Sequence, residues 1–272
     1  MTACRLCSAP TQFAWRKQLL QKYEISFYRC GQCESLQSEA PYWLDEAYGG
    51  ARSIPDLAAA ARLRWLFPLA YAVSRTMPLA ADAAVLDFGG GDGMLVRMLR
   101  DAGINAYLAD KYAGNRYAVG FSAGSGLSPQ LVFAFEVWEH FSQPRQEIEE
   151  LFALQPRALF ISTGLYASQD ENWNYLTPLS GRHVFFYSMK ARRYIAEKYG
   201  YSLLAHNSFA LFYRGQLPAV RKAILGFLIR SQGSGLLRRL GAFIPVSPLL
   251  EKDRADARRI VEAGGAGTIN WP

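Results

Sequence analysis

The 272-residue chain is half apolar and carries 30 basic against 23 acidic side chains, a formal net charge of +7. That length suffices for one full α/β core with small additions. No uninterrupted apolar run approaches the ~20 residues of a membrane span, and the N-terminus lacks a charged-then-apolar leader, so the chain reads as cytoplasmic. The excess charge sits at one end: residues 214–272 hold ten of the basic and four of the acidic side chains, so this extension, rather than the main body, needs an electrostatic explanation.

All four cysteines fall in the first 33 residues, as Cys4-x2-Cys7 and Cys30-x2-Cys33 with 22 residues between the pairs. Two such turns present four thiolates tetrahedrally to Zn2+, and Gly31 lets the second turn close tightly. Disulfides and a redox C-x-x-C are the competing readings. A cytoplasmic chain argues against the first and two matched pairs against the second. With every position filled by protein, such a zinc is structural rather than catalytic. Phe13, Trp15, Tyr23, Ile25, Phe27 and Tyr28 suit a small β-ribbon, giving a zinc-ribbon module over residues 1–40.

Residues 37–53, with Tyr42, Trp43 and Tyr48, form a connection, read either as a fold-over segment or as a surface linker. Residues 56–77 carry apolar side chains at helical spacing, and Pro78 ends the helix. Then comes Val85-Leu-Asp-Phe-Gly-Gly-Gly-Asp-Gly93, a buried strand breaking into a tight turn, followed by a helical run over 94–100. A second strand, 106–109, ends in Asp110, 23 residues after Asp87, near the spacing at which a Rossmann-type unit sets a carboxylate on a ribose. A P-loop needs Lys-Ser/Thr after the turn, where Met94 and Leu95 stand. A dinucleotide fingerprint needs glycine at position 94 and is ill served by an acid at 87. The turn suits a ligand without phosphate and with a cationic group.

Next, the apolar strand 131–135 runs into Glu136-Val-Trp-Glu-His140, an acidic helix covers 144–154, and a strand covers 158–163. In open α/β sheets, ligand groups gather at strand carboxyl ends, so the insert that follows, 163–183, faces the substrate. It contains Trp173-Asn174-Tyr175 and leads into Gly181-Arg-His-Val-Phe-Phe-Tyr-Ser188. A helix at 188–199 and a strand pair over 201–213 complete a domain spanning 41–213. The extension 214–272 is basic, apolar and helical. Its stretch 218–246 docks on the domain or on a second copy in a homodimer, or makes a peripheral membrane contact, and 253–262 is a plain charged helix.

The pattern Asp87-x-Gly89-x-Gly91-x-Gly93 resembles the first motif of class I S-adenosylmethionine (SAM) methyltransferases, and 131–140 resembles the fourth strand and helix start of the same superfamily. The insert resembles the W-x-Y...G-x-H-V-x-F-[FY]-S pattern of bacterial methyltransferases of saccharide and natural-product pathways. These include sugar C-methyltransferases that also begin with a paired-cysteine zinc module. The resemblance covers the first 33 residues and 85 to about 200. It implies a Rossmann-like, seven-stranded α/β sheet with a zinc ribbon and a helical C-terminal tail. It also implies SAM contacts at Asp87, Phe88, Gly89, Gly90, Gly91, Asp110, Lys111, Phe135, Glu136 and His140. The family often reads adenine with an Asp, absent here, which leaves that task to Phe121, Ser122 or Ala123 and the backbone. Sugar C-methyltransferases commonly carry an acid before the insert histidine where this chain has Arg182, and the span after residue 213 is too short for their second α/β domain.

Methyl transfer from a sulfonium is an in-line displacement, so protein groups align the partners and take a proton. His183 is the candidate base, an imidazole with an ordinary pKa of about 6.5, or else a capping or packing histidine. Tyr175 with Trp173 holds a sugar face, and Arg182 binds an acceptor phosphate or carboxylate. His140 caps the turn or lies beside the cofactor, Glu136 faces the cofactor, Glu139 stabilises the positive end of the next helix, and His206 is structural. The expected activity is SAM-dependent methylation of a small-molecule or glycan acceptor, such as a nucleotide sugar. One alternative is a zinc-ribbon RNA methyltransferase, disfavoured because no N-P-P-Y-like motif is present and the ribbon is not rich in basic residues. Another is a non-catalytic SAM-fold partner protein.

Overall fold

A computed structural model describes residues 2–49 and 59–231, with Arg239, Ile244 and Lys252. The expectations for residues 50–58, for most of 236–246 and for the helix at 253–262 lie outside the described residues.

The cysteine-bearing end is a ribbon of β1 (Thr11–Leu19), β2 (Tyr23–Cys30) and the short β3 (Leu36–Ser38). Alternation sets its two faces: Ile25 and Phe27 are buried while Glu24 is exposed. Helices α1 (Leu44–Gly49) and α2 (Ala59–Thr76) follow. Strand β4 (Val85–Phe88), helix α3 (Met94–Asp101), β5 (Ala106–Ala109) and β6 (Leu131–Phe135) come next. After α4 (Pro144–Ala153) and β7 (Ala158–Ser162) the insert leads to β8 (Phe185–Phe186). The chain continues through α5 (Met189–Tyr199), the hairpin β9 (Ser202–His206) and β10 (Phe209–Tyr213), and α6 (Ala219–Arg230).

Two sheets result, a four-stranded one ordered β1-β2-β3-β8 and a six-stranded one ordered β5-β4-β6-β7-β10-β9. β4 runs parallel to both neighbours, with Asp87 opposite Leu108 on β5 and Phe133 on β6. A strand flanked on both sides in a parallel sheet reads as a continuous apolar run, as Val85-Leu86 does before its acidic end. The fold is therefore mixed α/β, but among the described residues the main sheet has six strands where seven were expected. β8, the strand after the insert, pairs with the ribbon instead, Leu36 facing Phe186 and Gln37 facing Phe185.

The chain falls into two compact units. One comprises Met1–Asp56, Glu136–Leu154 and Ile161–Phe212, and the other Leu57–Phe135, Gln155–Phe160 and Tyr213–Pro272. The first unit has its core where ribbon and insert meet: Ile25, Phe27, Leu36 and Trp43 against Leu176, Val184 and Phe186. Trp43 anchors the connection there, its Nε1 donating to Gly181 O at 2.7 Å. In the second unit, Arg221 of α6 donates to Thr76 O at the end of α2 (2.8 Å). Helix α6 buries Leu225, Leu228 and Ile229 and exposes Val220, Ile224 and Phe227. Among the described residues, no helix is long and apolar enough to cross a membrane.

Candidate active site

The glycine turn belongs to the second unit and is held by Asp110. Gly91, at φ +62°, donates its N–H to Asp110 Oδ2 (2.9 Å), while Oδ1 accepts from the backbone of Tyr112 (2.8 Å) and Ala113 (2.7 Å). A carboxylate has about four lone-pair sites, so Asp110 is first a clasp on the turn and keeps roughly one site for a ligand hydroxyl. Beneath the turn lies Asp87, 2% exposed, with Oδ2 lacking any hydrogen-bond partner. Only glycine fits above it: a Cβ on Gly90 would stand 2.2 Å from Asp87 Oδ2 and 2.7 Å from Leu108 Cδ1. Burial, and then the charge of Asp110, push the Asp87 carboxyl up to about 7. A buried carboxyl with a bare oxygen, under backbone that no side chain shields, suits a ligand carrying positive charge.

The other residues expected near the cofactor are less committed. Phe88 ends β4 half-buried, and Lys111 is exposed with its ammonium over the Tyr112 ring. Residues 121–123 run beside β5, Leu108 N donating to Phe121 O (2.8 Å) and Ala123 N to Leu108 O (2.7 Å). The Arg100 guanidinium lies 3.4 Å from the Phe121 ring centre and covers one of its faces. Phe135 packs on Phe133 and Phe160.

In the first unit, Glu136 turns the chain with a left-handed backbone, φ +55°. Ser162 fixes it: Glu136 N donates to Ser162 O at 2.9 Å, and Ser162 Oγ donates to Glu136 Oε1 at 2.6 Å. The Tyr175 hydroxyl stands 3.0 Å from Glu136 Oε2 and 2.6 Å from Glu139 Oε1. The one phenolic hydrogen can bridge to only one carboxylate at a time, so the other close pair of oxygens has room for a further proton. Burial, then the Glu139 charge, raises the Glu136 carboxyl against the lowering effect of the Ser162 and Tyr175 hydrogen bonds. Burial, then both carboxylates, hold the Tyr175 phenol well above its ordinary range.

His183 faces this chain. Its Nδ1 lies 2.6 Å from Tyr175 O, and a carbonyl only accepts, so Nδ1 carries the hydrogen and Nε2 the lone pair. Burial, and then His140, push His183 down to about 3. His140 stands beside it, ring centres 4.9 Å apart, with Nδ1 3.2 Å from Arg182 O. His183 does not cap a helix, since Ser188 caps α5 by accepting from Ala191 N (3.0 Å).

Next to these groups Gly164, Gln169, Trp173, Tyr175, Asn207 and Ser208 line a cavity of about 370 Å³. Gly164 is obligatory there, since a Cβ would meet the Tyr175 ring at 2.3 Å. Trp173 also packs on Tyr166 and Phe186, so it is both wall and core.

The methyltransferase-domain family model matches residues 63–206, more than half of the chain. The chain belongs to this family. No curated protein matches it. Solved structures similar to this chain include the mitomycin 7-O-methyltransferase MmcR, at 13% identity and TM-score 0.38, covering 54% of each chain. CalO1, a methyltransferase in calicheamicin biosynthesis, shares 13% identity at TM-score 0.40, over 58% of this chain and 54% of that one. A SAM-dependent methyltransferase from Aquifex aeolicus shares 17% identity at TM-score 0.40, over 58% of this chain and 94% of that one. The match spans about half the length of the first two, and likenesses at these scores decide nothing about acceptor.

The four cysteines gather as the spacing implies. Cys4 and Cys33 sulfurs lie 3.7 Å apart, those of Cys7 and Cys30 3.5 Å apart, and all four within 4.8 Å. All are free thiols. Four sulfurs at 2.3 Å around one tetrahedral ion stand about 3.8 Å from each other, so the set fits a thiophilic cation. The N–H groups of Gln32 and Cys33 point at Cys30 Sγ (3.4 Å each), as a thiolate requires. Arg5, between the first two cysteines, donates to Val184 O (2.6 Å), Ser142 O (3.1 Å) and Ser38 O (3.2 Å) and is thus internal.

One expectation is corrected. Glu139 does not stabilise the next helix: it is fully buried under Tyr175, and Glu147 Oε2 accepts from Gln143 N (2.8 Å) at the start of α4. Arg182 Nε donates to Ala47 O (3.0 Å) and its guanidinium lies over Tyr48. Sequence reasoning gave Ser162 and Arg192 no role. Arg192 is fully buried and donates to Asn207 O (2.6 Å) and Thr163 O (2.9 Å).

Proposed function

We propose that this methyltransferase uses SAM and methylates a polar group, a hydroxyl by first preference, on a saccharide or related polar metabolite. The observation that carries the reading is the Tyr175 hydroxyl set between Glu136 and Glu139 beside a cavity walled by Trp173, Gln169, Asn207 and Ser208. An aromatic wall with amide and hydroxyl groups suits a sugar, whose rings present C–H faces and hydroxyl edges.

The glycine turn, with Asp110 for a ribose hydroxyl and Asp87 for positive charge, is where SAM is held in this reading. When bound, SAM supplies an activated methyl group. Trp173 and the amides position the acceptor. The Glu136–Tyr175–Glu139 chain takes the acceptor proton, since it shares a hydrogen between two carboxylates and has room for another. His183, fixed as the Nδ1–H tautomer by Tyr175 O, presents its Nε2 lone pair, but burial holds its pKa down to about 3, so the Glu136 carboxylate, raised by burial, takes the role of base in this reading. Zinc is the proposed occupant of Cys4, Cys7, Cys30 and Cys33, and its part is structural.

The test is labelled methyl transfer from SAM to nucleotide sugars, lipid-linked glycans and RNA side by side. Label in a saccharide supports the reading, and label in RNA alone overturns it.

A further inference from the structure

The geometry points to a second metal site, formed by Glu139, His140 and His183, that takes a divalent cation of the manganese, iron or cobalt type and leaves coordination positions open. One ligand-competent atom of each residue lies within 4.8 Å of the other two. Both imidazoles are set for ligation in the same way. His183 Nδ1 bonds Tyr175 O and His140 Nδ1 bonds Arg182 O, so each ring spends its hydrogen on a backbone carbonyl and keeps the Nε2 lone pair. Metal-ligating histidines are oriented by this kind of second contact.

Glu139 supplies the independent observation. It is 0% exposed, Tyr175 holds its Oε1, and its Oε2 has no hydrogen-bond partner. Leaving a carboxylate oxygen buried and bare costs its full desolvation. The buried cation Arg192, which feels the Glu139 charge, gives its Nη groups to the carbonyls of Asn207, Thr163 and Ser208 rather than to Glu139. The cluster is thus two imidazole lone pairs and one carboxylate oxygen, acceptors throughout, with a second carboxylate, Glu136, across the Tyr175 hydroxyl. A cation satisfies all of them at once. Two imidazoles with one carboxylate suit Mn2+, Fe2+ or Co2+ better than Mg2+, which prefers oxygen alone, and thiolates like the cysteine set select zinc.

Three protein ligands leave room for water or an acceptor oxygen. An oxygen bound there loses its proton more readily. The proton passes to the Glu136–Tyr175 pair, the oxygen forms the new O–CH3 bond, and the C–S pair stays on sulfur. This role rests on the methyl-transfer reading above, whereas the binding does not.

The test uses the full chain with its cysteine-bound metal in place, and Mn2+ as probe. Loss of the free-ion paramagnetic resonance signal gives stoichiometry, and nitrogen spin-echo modulation reports imidazole on the ion. About one Mn2+ per chain with nitrogen modulation is expected, and the double variant His140→Ala/His183→Ala weakens binding at least about 100-fold. Glu139→Gln, which keeps the shape, weakens it about 10- to 100-fold and serves if the double variant does not fold, folding being followed by circular dichroism and cysteine-bound metal content. No Mn2+ binding, equal binding in the variants, or a bound ion without nitrogen modulation overturns the site. Because binding is measured without SAM or acceptor, it supports the site even where no transfer occurs. Full transfer by a chain that binds no Mn2+ overturns the site and leaves the methyl-transfer reading standing.

Discussion

The Tyr175 hydroxyl lies 2.6 Å from Glu139 Oε1, a hydrogen bond between residues 36 positions apart that seals a carboxylate inside the protein. Tyr175→Phe keeps the ring packing on Trp173 and removes the bond. The rate of methyl transfer falls by about 10²- to 10⁴-fold, as for loss of an acid–base group, with SAM affinity unchanged. Leaving Glu139 without this donor also costs about 1–3 kcal/mol of stability. Single-turnover kinetics and urea denaturation check the two parts separately.

Gly164→Ala reaches the same tyrosine by a steric route, since its Cβ would stand 2.3 Å from the Tyr175 ring. The ring must move out of line with Glu136 and Glu139. Transfer drops by at least about tenfold while SAM binding, measured by calorimetry, is retained.

Asp87 sets a pH dependence of stability. Its folded pKa is raised from 3.8 to about 7 by burial and then by Asp110, so the folded chain binds more protons than the unfolded one between those values. The stabilisation belonging to the protonated carboxyl is complete below 3.8 and lost as pH rises through about 7. This contribution therefore falls between pH 4 and pH 8, by up to about 4 kcal/mol, against the opposite contribution of His183, whose lowered pKa adds stability as pH rises from about 3 to 6.5. Asp87→Asn lacks it, so the stability difference between Asp87→Asn and wild type moves in the variant's favour from pH 5 to pH 8, as read by urea denaturation.

The cysteine set predicts about one zinc per chain by metal analysis, and Cys7→Ser or Cys30→Ser loses it. The ribbon's core is small, so metal loss costs several kcal/mol and lowers the melting temperature. Zinc content unchanged in both variants contradicts the four-thiolate assignment.

Local features were legible in the sequence because local physics sets them. The run ending at Gly93 gave strand β4 and helix α3 within a residue, and 201–213 gave the hairpin β9–β10. The two C-x-x-C turns placed four sulfurs together from spacing alone. Long-range choices were not legible. Spacing put Asp110 near the turn but could not show that its oxygens would be taken by Gly91, Tyr112 and Ala113. Nothing in the local pattern of 185–186 says that it pairs with Leu36 and Gln37, about 150 residues earlier. Glu139 looked like a helix-start acid because its partner lies in the insert. Pro68 sits inside α2, where the apolar periodicity outweighs the lost hydrogen bond.

The central claim is that this chain holds SAM at the turn clasped by Asp110, and calorimetry with SAM and S-adenosylhomocysteine tests it most directly. The account predicts one site per chain, weakened about 10- to 100-fold in Asp110→Asn, which loses the carboxylate charge at the turn. No binding of either ligand, or equal affinity in wild type and Asp110→Asn, would contradict it.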